Sequence, residues 1–87
     1  MKYIVRWTET SLYQLKKLDR VTSERIIAKI DAMSEIPFRF VKSLKGFDLY
    51  VLRVGDYRVI MGIEQERMII FVLEIGHRRS IYKKYQR

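Results

Sequence analysis

Apolar positions change their period along the chain, and each change marks an element. Residues 2–7, Lys-Tyr-Ile-Val-Arg-Trp, are rich in β-branched and aromatic types over a run too short for a helix, which predicts a strand with Trp7 in the core. Thr8 then stands as an N-cap. Leu12, Leu15 and Leu18 recur at helical spacing while Gln14, Lys16 and Lys17 stay outside, so one stripe of a first helix faces the core. Thr22 is read as a second N-cap, with Val21 before it and Ile26 four residues after it at the spacing of a hydrophobic staple. Ile26, Ile27, Ile30 and Met33 continue the helical period until Pro37, which disfavours helical geometry at Ile36. The two helices form a hairpin.

Periodicity is lost from Phe38 to Phe47, where Arg39, Lys42, Lys45 and Gly46 predict a basic loop. Three apolar runs follow, Leu49 to Val54, Tyr57 to Ile63 and Met68 to Ile75. Gly55-Asp56 separates the first two, and glycine at the first central position suits a two-residue type II′ turn. Gly76 to Arg87 contains Arg78, Arg79, Lys83, Lys84 and Arg87 without an acid, and is expected as a short basic helix or a mobile tail. The order predicts one α+β domain over residues 1–87. It comprises an N-terminal strand, a two-helix hairpin packed on one sheet face, and a three-stranded antiparallel meander that completes a four-stranded sheet.

Charge and composition narrow the function. Eighteen Lys and Arg against ten Asp and Glu leave a net charge of +8, which calls for a polyanionic partner: nucleic acid, an anionic membrane or an acidic protein. Without cysteine, and with a single histidine, no disulfide framework, thiolate nucleophile or protein-only metal centre is expected, so no cofactor is assigned. Arg6 and Glu9 interrupt the first apolar run, which is neither a signal peptide nor a membrane span; the expected location is the cytoplasm, with no membrane partner.

With Gly55 and Asp56 at the turn, Val54 opposes Tyr57 and Arg53 opposes Arg58 on one face. Like charges opposed across a ladder are destabilising, by roughly 0.2 to 1 kcal/mol, and folding does not require them. Long stems splayed into water are the structural alternative. The last strand returns toward this turn and carries Gly76-His77-Arg78 to it, so three arginines are expected to converge. They would form an anion site able to fork onto phosphate oxygens and to stabilise charge growing in a transition state. That inference depends on the register of the second turn, around Gln65-Glu66, because a slip of one residue flips the face. His77 is the one side chain that ordinarily titrates near neutrality, and Tyr82 and Tyr85 offer stacking or helix anchoring.

These residues resemble a known family. Leu44-Lys45-Gly46, the run Leu-Tyr-Val-Leu-Arg-Val-Gly-Asp-Tyr-Arg-Val-Ile at 49–60, Gly-His-Arg-Arg-Ser-Ile-Tyr at 76–82 and Leu-Lys-Lys-Leu-Asp at 15–19 are similar in order and spacing to the RelE/ParE superfamily of toxins. The likeness spans nearly the whole chain and points to the RelE-like branch. It implies a ribosome-dependent endoribonuclease that cuts mRNA, an mRNA interferase that inhibits translation, held inactive by a cognate RelB-like antitoxin. Carried over by position, Arg58, Arg78 and Tyr82 match catalytic positions, and Arg53 stands where RelE has a lysine. A second family lysine is replaced by Val51, which leaves open whether the general base is Lys45, His77 or neither and whether nuclease activity is retained; a base at His77 resembles the YoeB-like branch. Lys42, Lys45, His77, Arg79, Lys83 and Lys84 are expected to bind RNA, and apolar sheet positions such as Val51 and Ile60 to invite cover by an antitoxin. Two other readings stand beside this one: a ParE-like toxin that binds DNA gyrase without nuclease activity, and a non-catalytic RNA-binding module.

Overall fold

Thr8 caps the first helix as its position predicts: its Oγ1 accepts a hydrogen bond from the Ser11 N–H at 3.1 Å. The computed structural model, which describes residues 2–86, runs as β1 (Ile4–Trp7), α1 (Glu9–Lys16), α2 (Arg20–Met33), a 3₁₀ turn (Pro37–Arg39), β2 (Val41–Ser43), β3 (Tyr50–Val54), β4 (Tyr57–Glu64), β5 (Ile69–His77) and α3 (Arg78–Lys84). The sheet has five strands in the order β1-β5-β4-β3-β2, with β1 parallel to β5 and the other pairs antiparallel. This corrects the expected four. The extra strand is β2, inside the expected basic loop, where Val41, Lys42 and Ser43 pair with Leu52, Val51 and Tyr50. Three residues are too few to display an alternating pattern, so only pairing reveals them.

Two helix expectations also change. Asp19, not Thr22, is the N-cap of α2: its carboxylate accepts the Thr22 N–H at 3.1 Å and the Thr22 hydroxyl at 2.7 Å, and these bonds hold its pKa below the ordinary value. A charged carboxylate is the stronger acceptor and starts the helix earlier. The staple therefore does not form, and Val21 lies exposed. Ile26, Ile30 and Met33 are buried and Leu15 nearly so, whereas Leu12 and Ile27 flank their stripes and stay exposed.

The sheet has two covered faces. On one, Leu52, Val54, Val59, Met61, Ile70, Val72 and Ile75 join Leu15, Ile26, Ile30 and Met33, with Val5, Trp7 and Leu18 packed against them. The tail forms α3, which crosses the opposite face and sets Ile81 on Ile60 and Leu44. Ile60 is thus covered by the chain itself rather than left for a partner. Arg87 of the expected basic tail lies outside the described residues.

The second hairpin fixes the register on which the site depends. A bulge shifts the β4–β5 pairing between Ile60 and Met61, from Met61↔Val72 to Ile60↔Glu74. Counting on from Glu64↔Ile69 without it would set Ile75, not Gly76, against Arg58. Gln14, expected outside, is half-buried at this irregularity, where its Oε1 accepts the Ile75 N–H at 2.6 Å.

Candidate active site

The β3–β4 turn delivers two arginines together. Gly55 has a φ of +58° and Asp56 a negative one, the signs of a type II′ turn, and the pairs Val54↔Tyr57 and Arg53↔Arg58 follow from it. Both arginines point to the face that α3 crosses. With Phe40, Lys42, Val51 and Tyr82 they line a cleft of about 150 Å³.

Arg58 is 6% exposed, an uncommon burial for a charge, and its partners explain how it is tolerated. Its Nη1 donates to the Gly55 and Tyr57 carbonyls, both at 2.8 Å, and its Nε donates to Tyr82 Oη at 3.0 Å. No carboxylate touches it among the described residues. Its Nη2 has no acceptor there either, yet no buried side-chain nitrogen or oxygen lacks a partner, so this edge is open to solvent. The guanidinium is thus fixed by neutral groups and keeps its charge for something else. Gly76 opposes Arg58 across β4–β5 and adds no side chain beside it; a Cβ there would lie 3.1 Å from Ile81 of α3. Glycine lets α3 close over the strand.

Tyr82 reaches Arg58 from α3 and remains 49% exposed, with its hydroxyl hydrogen free for a ligand. Arg53 is exposed and makes no hydrogen bond or ion pair among the described residues. Lys42 faces the same cleft because it pairs with Val51, so β2 supplies an ammonium beside the valine of β3. Phe40, which the sequence reading missed, forms the cleft's apolar wall. Its signal was an aromatic two residues before a lysine, legible only once β2 is known.

The other expected residues are distributed around this centre. Arg78 begins α3 with its N–H donating to the Asp56 carbonyl at 2.8 Å, which ties the helix start to the turn, but its side chain does not line the cleft. His77 opposes Tyr57, whose ring it meets edge-on at 5.9 Å, and its Nδ1 accepts the Arg79 N–H at 3.3 Å. Tyr57 packs on the helix-covered side, so His77 is drawn away from Arg58. Lys45 lies beside Leu44, Gly46 and Tyr85 on another surface, while Arg79 and Lys83 are exposed on α3. Lys84 donates to Glu74 at 2.8 Å, and Tyr85 Oη donates to the same carboxylate at 2.6 Å. Burial works against the Glu74 charge, but these two bonds outweigh it and hold the carboxyl below its ordinary pKa. Burial, with the bond to Glu74, pushes Tyr85 up to about 12.

Comparison with known proteins agrees with this architecture. The family model described as ParE toxin of type II toxin-antitoxin system, parDE, matches residues 5–82. Toxin RelG of Mycobacterium tuberculosis is 30% identical over 87 residues, spanning 97% of this chain and 100% of the relative. The mRNA interferase toxin RelE of Escherichia coli K12 is 28% identical over 81 residues, spanning 90% and 85%. The solved toxin–antitoxin complex RelBE2 of M. tuberculosis gives a TM-score of 0.80 at 27% identity, over 90% of this chain and 100% of that one. The archaeal RelE–RelB complex of Pyrococcus horikoshii gives 0.77 at 29%, over 90% and 97%. Fold and cleft therefore belong to a toxin of the type II toxin–antitoxin class, and within it the chain is a member of the RelE/ParE superfamily, in the RelE-like branch.

Proposed function

We propose that this protein is an mRNA interferase that cleaves ribosome-bound mRNA without a metal cofactor, using the ribose 2′-OH as nucleophile. The observation that carries this reading is the Arg53–Arg58 pair, set side by side at a cleft with one guanidinium buried, oriented and unneutralised. A charge held by neutral groups before a substrate arrives needs no reorganisation when negative charge develops on a phosphate.

With no cysteine and one histidine the chain offers few donors for a metal-activated water and no thiolate, so the RNA supplies its own nucleophile. The 2′-oxygen attacks the neighbouring phosphorus in line and passes its proton to a base supplied by the ribosome or solvent, the P–O bond to the 5′-oxygen breaks, that oxygen takes up a proton, and a 2′,3′-cyclic phosphate remains. Arg58 and Arg53 stabilise the non-bridging oxygens, and Tyr82 orients the phosphate or stacks on a base. Arg78, at the α3 start beside the turn but not lining the cleft, is assigned to the leaving 5′-oxygen. A guanidinium is a weak acid in water, so the ribosome completes the site. Lys42, Lys45, His77, Arg79, Lys83 and Lys84 bind the surrounding RNA. A RelB-like antitoxin silences the protein, as the solved complexes of RelE-type relatives with RelB suggest. The reading places the protein in the cytoplasm; no helix is long and apolar enough to cross a membrane among the described residues.

The matching family model is that of ParE, which favours a second reading: a gyrase-binding toxin without nuclease chemistry. That reading leaves the paired arginines without a task. Primer extension on mRNA from cells expressing the chain, alongside a gyrase supercoiling assay, separates the two. Discrete cuts in translated regions with unaffected supercoiling support the nuclease; blocked supercoiling with intact mRNA refutes it.

A further inference from the structure

We propose that the cleft continues into a second RNA-binding surface, in which a nucleobase stacks on Phe40 and the following phosphates lie on Lys29 and Arg25 of α2. The inference rests on the reading of the cleft as a phosphate site and extends it to a strand path. On the α2 side of the sheet, reached from the cleft around Arg53 and bounded by the β3–β4 hairpin, lies a groove of about 390 Å³ whose floor is formed by small or short groups: Ala28, Ala32, Val54 and Gly55. Its cations are Arg25, Lys29 and Arg53, and none of them forms an ion pair among the described residues. Asp56 borders the space next to Arg25 but does not neutralise it.

Two contacts join groove and cleft into one surface. Arg53 lines both. Phe40 walls the cleft, is 41% exposed, and carries the Lys29 ammonium 5.8 Å from its ring centroid, so the ring stands at the junction. The Arg25 guanidinium lies 3.6 Å from where a Cβ of Gly55 would be, which sets it at the rim of the groove. An aromatic face between two groups of unpaired cations is the arrangement by which proteins follow single-stranded nucleic acid without reading its sequence. An acidic polypeptide would meet the same charges, but the ring's continuity with the phosphate cleft favours a strand that runs from one to the other.

The test is the affinity of uncleavable 2′-O-methyl oligonucleotides, one short enough to fill only the cleft and one long enough to reach α2, measured by fluorescence anisotropy at several salt concentrations. Arg25→Gln with Lys29→Gln is expected to weaken the long oligonucleotide about tenfold, to flatten its salt slope by about 1.4, and to leave the short one unchanged, since each lost phosphate contact removes about 0.7 from the slope for single strands. Phe40→Leu is expected to weaken the long one about 5- to 100-fold, while Phe40→Trp retains binding. Arg58→Ala weakens the short oligonucleotide, and failure of that arm alone would indict the reading of the cleft. Equal effects of the α2 variants on both oligonucleotides, or no effect on either, would overturn the strand path. So would loss of polyglutamate binding with RNA affinity intact, which would make the groove a protein-docking surface.

Discussion

Arg58 answers to two demands, and substitution separates them. Its guanidinium satisfies the Gly55 and Tyr57 carbonyls and bonds Tyr82 Oη, so Arg58→Ala leaves those groups without their donor and is expected to lower stability by about 1 to 3 kcal/mol in urea unfolding. If it also carries transition-state charge, the same variant loses about 10² to 10³ in cleavage rate, well beyond the fraction unfolded. Arg53 makes the converse case. Removing it relieves the like-charge pair, so Arg53→Thr is expected to raise stability by about 0.2 to 1 kcal/mol while lowering cleavage. A variant that is both less stable and fully active would contradict this division. The arginine pair was legible because a two-residue turn dictates which residues oppose each other. Lys42 and Phe40 were less so, since their placement depends on a strand too short to show a pattern. His77 depends on β5 in the same way: alternation along that strand turns it toward Tyr57 and away from Arg58.

At the scale of elements, helices and strands with clear periods were readable, whereas caps, flanks and irregularities were not. Asp19 displaced Thr22 as cap because its carboxylate accepts both the Thr22 N–H and the Thr22 hydroxyl, which starts the helix at Arg20 and places Thr22 inside its first turn. The bulge on which the Arg58↔Gly76 pairing depends leaves no mark in composition; the Thr8 hydroxyl's bond to the Leu73 carbonyl and the Gln14 bond to Ile75 show how it is accommodated. α3, readable only as a helix or a tail, is tied at its start by the Arg78 N–H on Asp56, further along by Tyr82 on Arg58, and at its end by a clasp of Tyr85 and Lys84 on Glu74. That clasp titrates. Tyr85 is raised in the fold, so its contribution is complete below its ordinary value, near 10, and is lost as the pH rises through about 12. Glu74 is lowered, so its contribution is present above its ordinary value and is lost as the pH falls through the lower folded one. Tyr85 is expected to form phenolate late in a spectrophotometric titration, and Glu74→Gln to bring it back toward 10. An unchanged titration in that variant would show that burial alone raises Tyr85.

For the whole molecule, the charge of +8 implied a polyanion but could not say which, and the fold narrows the field only as far as a toxin superfamily. What distinguishes a nuclease from a gyrase binder on one scaffold is a few side chains around the cleft. If the basic surface steers encounter with RNA, association slows steeply with added salt while dissociation changes little. Stopped-flow binding checks this, and a salt dependence confined to dissociation would contradict it. The central claim, that the cleft stabilises attack by the RNA's own 2′-oxygen, is tested most directly on ribosome-bound mRNA in EDTA, comparing an all-ribose message with one carrying a single 2′-deoxy nucleotide at the cut site. Attack by the 2′-oxygen requires cleavage of the first to a 2′,3′-cyclic or 3′-phosphate end and none at that position of the second; equal cleavage of both would contradict it.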